Sequence, residues 1–408
     1  MAIDTLASAI EPDTIPAPGR LVSRALLLRF GSVIGSSIGF YLPLSVMPMF
    51  ADQTGSGGGA GLATVTLLLA TVACELVTPR LVGRVGYRGA LALGLTLLGA
   101  PTLLLTVSHG PGLILAVSAV RGAGFAISVV AGGVVTATLI PADRRGEGLA
   151  LVGIVSGVPG LLALPAGVWA ATRFGYGPVF AVTALVPLLA LSSVPGLPRR
   201  AAPAHRGGVL GGLRDSALVR PATIFATSAA AAGVLVTFLP LATLGQPTWV
   251  ATAALFVQPA SSTVSRWVAG RIGDRRGQRC LLVPGLIMAT VGMAALAGTS
   301  VPAAVVAGAL VFGTGFGVLQ NATLTLMYAR ATAGEEGAVS AIWNAAYDLG
   351  MAAGAFCAGL TATTLGYPAT FALTAVASLP ALALVRRDRD AAHRNRTRAG
   401  VPFRRTSS

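Results

Sequence analysis

No lysine occurs anywhere in these 408 residues, and Asp and Glu together number only 14. Charged side chains make up 11% of the chain, against about a quarter in an ordinary soluble protein. That scarcity excludes a soluble globular fold of this length. The three cysteines (Cys74, Cys280, Cys357) are scattered, which excludes a disulfide framework and the paired spacing of a metal site. The three histidines (His109, His205, His393) are as widely dispersed, so no metal and no cofactor is expected. No nucleophile–base constellation stands out, and an enzyme is not expected. The Gly-rich stretch GSGGGAG (55–61) lacks the Lys-Ser/Thr ending of a phosphate loop and reads as a flexible connector. With no nucleotide-binding domain in view, direct ATP drive is not expected. The first twenty residues carry acids and no basic start, unlike a signal peptide.

What is abundant is apolar sequence: 54% of residues, with a mean hydropathy of +0.77. It comes in separate continuous runs of about 20 residues, the length a helix needs to cross a bilayer, rather than the short alternating segments of a barrel. Only helices and closed barrels satisfy their backbone hydrogen bonds in lipid. The sequence therefore predicts an all-α integral membrane protein. Twelve spans are expected, near 24–50, 61–79, 89–108, 112–139, 149–170, 178–195, 221–243, 249–268, 280–299, 302–329, 338–363 and 369–386. With the N-terminus inside, 25 of the 29 basic residues fall in inside segments, and only Arg173 falls in an outside loop. The positive-inside rule then places both termini in the cytoplasm. The net charge of +15 follows this topology, so no nucleic-acid partner is expected.

A repeat underlies the twelve spans. Shifted by 191 residues, VTPRLVGRVGYR (77–88) lies over VAGRIGDRRGQR (268–279), and RGAGFA (121–126) lies over FGTGFG (312–317). The same shift pairs Gly175, Tyr176 and Phe180 with Gly366, Tyr367 and Phe371. YLPL (41–44) resembles FLPL (238–241) at a slightly larger shift. The expected organisation is a tail (1–23), a six-helix bundle (24–195), a linker rich in Pro, Gly and Arg (196–220), a second six-helix bundle (221–386) and an Arg-rich tail (387–408). Both tails and the linker are expected in the cytoplasm.

Six plus six spans, a central linker and the turn Gly270-x-x-x-Asp274-Arg275-x-Gly277-x-Arg279 resemble the major facilitator superfamily of secondary transporters. In that family the turn is usually stronger after the second span. Here the first copy keeps Arg80 and Arg84 but has Pro79 and Gly83 where the second has Gly270 and Asp274. The segment GVPGLLALPAG (157–167) is a looser match to a motif of the family's drug exporters. The resemblance implies two pseudo-symmetric bundles, alternating access and no enzymatic activity. It also implies that Asp274 meets the start of the fifth span, near Glu147–Ala150, and latches the halves on the cytoplasmic side. A carboxylate at a helix N-terminus gains roughly 0.3–1 kcal/mol. Arg80 and Arg84 are expected to pair with Glu335 and Glu336 in a second latch.

Charges inside spans are costly and point to function. Arg29, Glu75 and Arg266 lie close to the cytoplasmic edge, where long side chains reach the interface. Arg121 and Asp348 are deeper, each about 15 Å into its helix. A carboxyl group in a low-dielectric cavity loses hydration, so Asp348, with Glu75 as the rival, is the proton-coupling candidate. Stripes of Gly31, Gly35 and Gly39, of Gly153 and Gly157, and of Gly350 and Gly354 are read as close helix packing. The substrate cavity is expected at mid-membrane between the halves, lined by Phe40, Tyr41, Arg121, Phe238, Gln320, Asn321, Trp343, Asn344 and Tyr347. So sparse a polar set suits proton-coupled efflux of a small hydrophobic drug or secondary metabolite. The expected protein is thus a monomeric antiporter of the drug-resistance type in lipid, with protons and a small molecule as partners. The alternative is an importer of an anionic metabolite that uses Arg121 as a carboxylate clamp. The abundance of Arg, Gly and Ala suggests a GC-rich bacterial genome, hence the bacterial cytoplasmic membrane.

Overall fold

The computed structural model describes residues 23–53, 59–140, 145–197, 216–330 and 336–386. Both expected tails and most of the linker lie outside them. The described chain is helical, with no strand. Its α-helices are α1 (Arg24–Tyr41), α2 (Val46–Gln53), α3 (Gly59–Gly99), α4 (Pro111–Leu139), α5 (Arg145–Phe174) and α6 (Tyr176–Ala190), followed by α7 (Ser216–Ala242), α8 (Trp249–Arg276), α9 (Leu282–Leu296), α10 (Pro302–Tyr328) and α11 (Glu336–Ser378). Local chemistry starts several of them. The Ser23 side chain caps α1 by accepting from the Leu26 amide, an arrangement worth about 1 kcal/mol. Pro111 and Pro302 open α4 and α10, where a missing N–H costs no helical bond.

Among the described residues, ten helical segments are long and apolar enough to cross a membrane, against the twelve expected. Two features bear on the difference. The last segment, Val339–Arg386, is 48 residues long, about 72 Å as one straight helix and twice what a bilayer accommodates. It is broken at Gly366, where φ is 79°. Helix α8, with 28 residues, is long enough but too polar to qualify. Part of the reason for its polarity belongs to the cavity.

Four described glycines have positive φ: Gly86 (72°), Gly175 (83°), Gly277 (82°) and Gly366 (79°). They form two pairs, 86 with 277 and 175 with 366, each separated by the 191-residue shift of the sequence repeat. Their ψ values of 169°, 177°, 141° and 169° put the backbone in a region essentially reserved for glycine. Packing repeats with the same shift. A Cβ on Gly122 would run into the Leu67 carbonyl oxygen, and one on Gly313 into that of Gln258. One on Gly124 would approach the Leu98 nitrogen and the Gly94 oxygen, and one on Gly315 the Ala289 nitrogen and the Gly285 oxygen. Every residue in the second set of contacts is its counterpart plus 191. The repeat is therefore structural, down to which backbone atoms touch.

Small residues allow these approaches, as expected where lipid supplies no hydrophobic drive between helices. Gly35 and Gly39 pack against Ala190 and Pro187, and Gly350 and Gly354 against the Ala226 and Ala230 carbonyls of α7. Large apolar side chains point outward instead: Leu76, Val264 and Trp267 are each more than 60% exposed. Arg271 stacks on the Trp267 ring at 3.8 Å. The two halves meet through α3 with α11 and α5 with α8. They are tied by hydrogen bonds from Ser45 Oγ to the Val236 oxygen (2.7 Å) and from Thr237 Oγ1 to Thr64 Oγ1 (3.1 Å).

Candidate functional site

A cavity of about 180 Å³ lies between the halves. The first half contributes Tyr41 and Leu44 from the α1 end and Gly157, Gly160, Leu161 and Leu164 from α5. The second contributes Gln258, Ser262 and Arg266 from α8, Phe316 and Gln320 from α10, and Tyr347 and Met351 from α11. The walls differ in kind. The first half's wall is mostly apolar, with Tyr41 and Ser156 as its polar members, whereas α8 presents a ladder of polar groups four residues apart, which puts them on one helix face. This ladder, with the charged last turn Asp274, Arg275 and Arg276, lowers the hydropathy of α8. Ser262 Oγ donates to Gln320 Oε1 at 3.4 Å, joining α8 to α10 across the floor.

Of the residues expected to line a cavity, Tyr41, Gln320 and Tyr347 do so. The others sit elsewhere. Phe40 stacks on Phe125 with centroids 3.8 Å apart. Phe238 is buried, its ring 6.3 Å from that of Tyr367. Trp343 stacks on Phe225 at 4.3 Å and 7°, and its indole N–H donates to Thr323 Oγ1 at 3.2 Å. Asn344 falls on an exposed face, and Asn321 packs beside Gly270. Trp343, Phe225 and Tyr347 form a near-parallel stack, so the buried aromatics hold Tyr347 at the cavity edge.

Arg121 does not line the cavity. It is fully buried and donates from Nη2 to the Gly39 carbonyl at 2.8 Å, while Nε and Nη1 meet no described partner. Arg29 is buried too, but well satisfied. Its Nε donates to the Gly132 oxygen (3.1 Å) and Thr136 Oγ1 (3.0 Å), and its Nη1 to Ser32 Oγ (2.7 Å). It pins α1 to α4. Asp348 follows Tyr347 on α11 and lies within electrostatic reach of Glu75 on α3 in the other half.

Arg266 and Gly157 are the residues sequence reasoning placed elsewhere. Arg266, expected near the cytoplasmic edge, lines the cavity, and α8 continues beyond it to Arg276. Gly157 looked like a packing residue, but a Cβ there would meet nothing within 4 Å. The signal that could have found the wall was the spacing Gln258, Ser262, Arg266 inside an apolar run.

At the turn, Asp274, Arg275, Arg80 and Arg84 are exposed and Gly277 has its positive φ. Gly270 lies beside Asn321, and Arg279 is half-buried. The expected partners of Asp274, the side chains near Glu147–Ala150, lie outside the described residues, as do Glu335 and the Glu336 side chain. No group of three or more His, Cys, Asp or Glu able to hold a metal occurs among the described residues.

A family model described as Major Facilitator Superfamily matches residues 29–355 and, in a second overlapping match, 248–407. No curated protein matches the sequence. Among solved structures, the nucleoside transporter NupG superposes with a TM-score of 0.70 at 13% identity, covering 89% of this chain and 99% of its own. A single-substitution variant of NupG gives 0.70 at 14%, over 88% and 98%. The human organic anion transporter MFSD10 (TETRAN) gives 0.61 at 17%, over 89% and 99%. At these identities the likeness concerns the fold.

Proposed function

The chain belongs to the Major Facilitator Superfamily, and from that premise we propose that it is a proton-coupled exporter of a small, largely apolar molecule. It is a multi-pass membrane protein and a secondary transporter. In the proposed cycle the two halves rock about the cavity between them, exposing it to each side in turn. The observation that carries this reading is the cavity itself, walled by Tyr41 and α5 from one half and by α8, α10 and Tyr347 from the other. A site built from both halves changes shape whenever they move. Twelve crossings with both termini in the cytoplasm complete the proposal: the ten apolar segments, the polar α8, and the division of the last segment at Gly366.

Asp348 is the proposed proton carrier. It adjoins Tyr347 in sequence at the cavity edge and lies within electrostatic reach of Glu75 in the other half, so its charge state bears on both. The test compares cells with and without the protein across a panel of small compounds. Expression should lower accumulation of at least one compound, and a protonophore should erase the difference. Higher accumulation on expression would sink export, and indifference to the protonophore would sink proton coupling. Asp348→Asn should abolish gradient-driven transport while sparing substrate exchange. If that variant still pumps with normal pH dependence, Glu75 takes over as the candidate.

A further inference from the structure

Arg266 is the one charged side chain lining the cavity among the described residues, and no Asp or Glu lines it. Arg266 is open to the cavity, and a guanidinium in a cavity between packed helices favours an opposite charge or a set of acceptors. No described acid pairs with it.

The 191-residue repeat shows what sits at the corresponding place. Position 266 corresponds to Glu75, and Gly157 corresponds to Asp348. At one junction of the halves, Glu75 of the first half acts on Asp348 of the second. At the symmetric junction, Arg266 of the second half lines the same cavity as Gly157 of the first. A Cβ on Gly157 would meet nothing within 4 Å. One junction carries a carboxyl group from the facing helix; the other carries a cation and open space.

We infer that the cavity takes a small organic monoanion with a planar apolar body, its anionic group seated against Arg266 where the symmetric junction carries the Asp348 side chain. The guanidinium offers a planar fork of donors that matches a carboxylate two-to-two. Ser262 and Gln258 continue the same helix face, and Gln320 reaches Ser262 from α10. These groups serve the polar end of the ligand. Tyr41, Phe316 and Tyr347 receive the apolar body, with ring faces suited to stacking. One guanidinium with no second cation in the lining fits a single negative charge. At about 180 Å³ the cavity is smaller than the roughly 300–1,000 Å³ of sites for drug-sized ligands, so the anion is small.

This inference rests on the cavity being the transport site, and its test separates the two. Purified full-length protein is titrated with benzoate and phenylacetate, and in parallel with benzamide and phenylacetamide, following the thermal midpoint. Uptake of radiolabelled benzoate into proteoliposomes is measured separately. The carboxylates should raise the midpoint and the amides should not. Arg266→Gln should weaken carboxylate binding by about tenfold or more, as loss of a charged hydrogen bond requires. Arg266→Lys should keep part of it, and Arg271→Gln, whose native side chain lies on Trp267, should keep all of it. Gly157→Asp supplies an internal carboxylate opposite Arg266. It should abolish benzoate binding and raise the unliganded midpoint, which tests the site even if Arg266→Gln fails to fold. Amides binding as well as carboxylates, no shift with either carboxylate, or unchanged benzoate affinity in Arg266→Gln would each overturn the inference. Arg266-dependent binding without uptake would uphold it and remove the transport reading instead.

Discussion

At the scale of single residues, Arg121 poses the sharpest energetic question. A fully buried guanidinium with one carbonyl acceptor is expensive to hold in an apolar interior. The other half shows that the fold does not need it: its counterpart at plus 191 is Phe312, equally buried. We propose that the cost is retained for function, the default reading of an intramembrane charge. Arg121→Met, which keeps length and loses charge, should leave the thermal midpoint equal to or above wild type while transport falls about tenfold or more. A clear drop in the midpoint would make Arg121 a structural strut instead. Glu75 and Asp348 were legible from the sequence as the two acids within spans, but their mutual approach was not. Nothing in a linear pattern says that α3 and α11 cross beside these positions.

At the scale of elements, the four positive-φ glycines end or break helices where no other residue fits easily. A Cβ at Gly175 would meet nothing within 4 Å, and the same holds at Gly83, which lies inside a helix with ordinary dihedrals. The pair isolates conformational strain from crowding. Gly175→Ala should destabilise by about 1–2 kcal/mol, and Gly83→Ala should be neutral or stabilising by up to about 1 kcal/mol. Denaturant titration of the purified protein in mixed micelles measures both. Equal effects at the two sites would refute the conformational account. Hydropathy revealed most helices because lipid-facing surfaces are uniformly apolar. It also found α8 as a span at 249–268, but not that its Gln258, Ser262 and Arg266 line the cavity. The repeat was legible because the Gly positions it preserves are demanded by backbone geometry. Arg266 was not expected in the cavity because it lies only two residues from the end of its apolar run.

At the scale of the whole molecule, two copies of one plan face each other with their polar residues divided unequally. Glu75 and Asp348 occupy one junction, Arg266 and open space the other. The last turn of α8 retains Asp274, whereas the first copy has Gly83, so a latch of the expected kind is proposed for one side only. A carboxylate at a helix start contributes up to about 1 kcal/mol, enough to shift a two-state balance roughly fivefold. Asp274→Asn should leave folding intact, lower transport, and increase labelling of cavity cysteine probes from the cytoplasmic side. The assay needs a background in which Cys74, Cys280 and Cys357 are replaced. Unchanged labelling with wild-type transport would dismiss the latch. Gly175 carries a last consequence, for how the protein is made. It is the single residue between α5 and α6, too short a connection for one helix to settle in the bilayer while the other waits in water. The two must enter the membrane together as a hairpin, so during synthesis this pair behaves as one insertion unit, and lengthening the connection would free its second helix to be left behind.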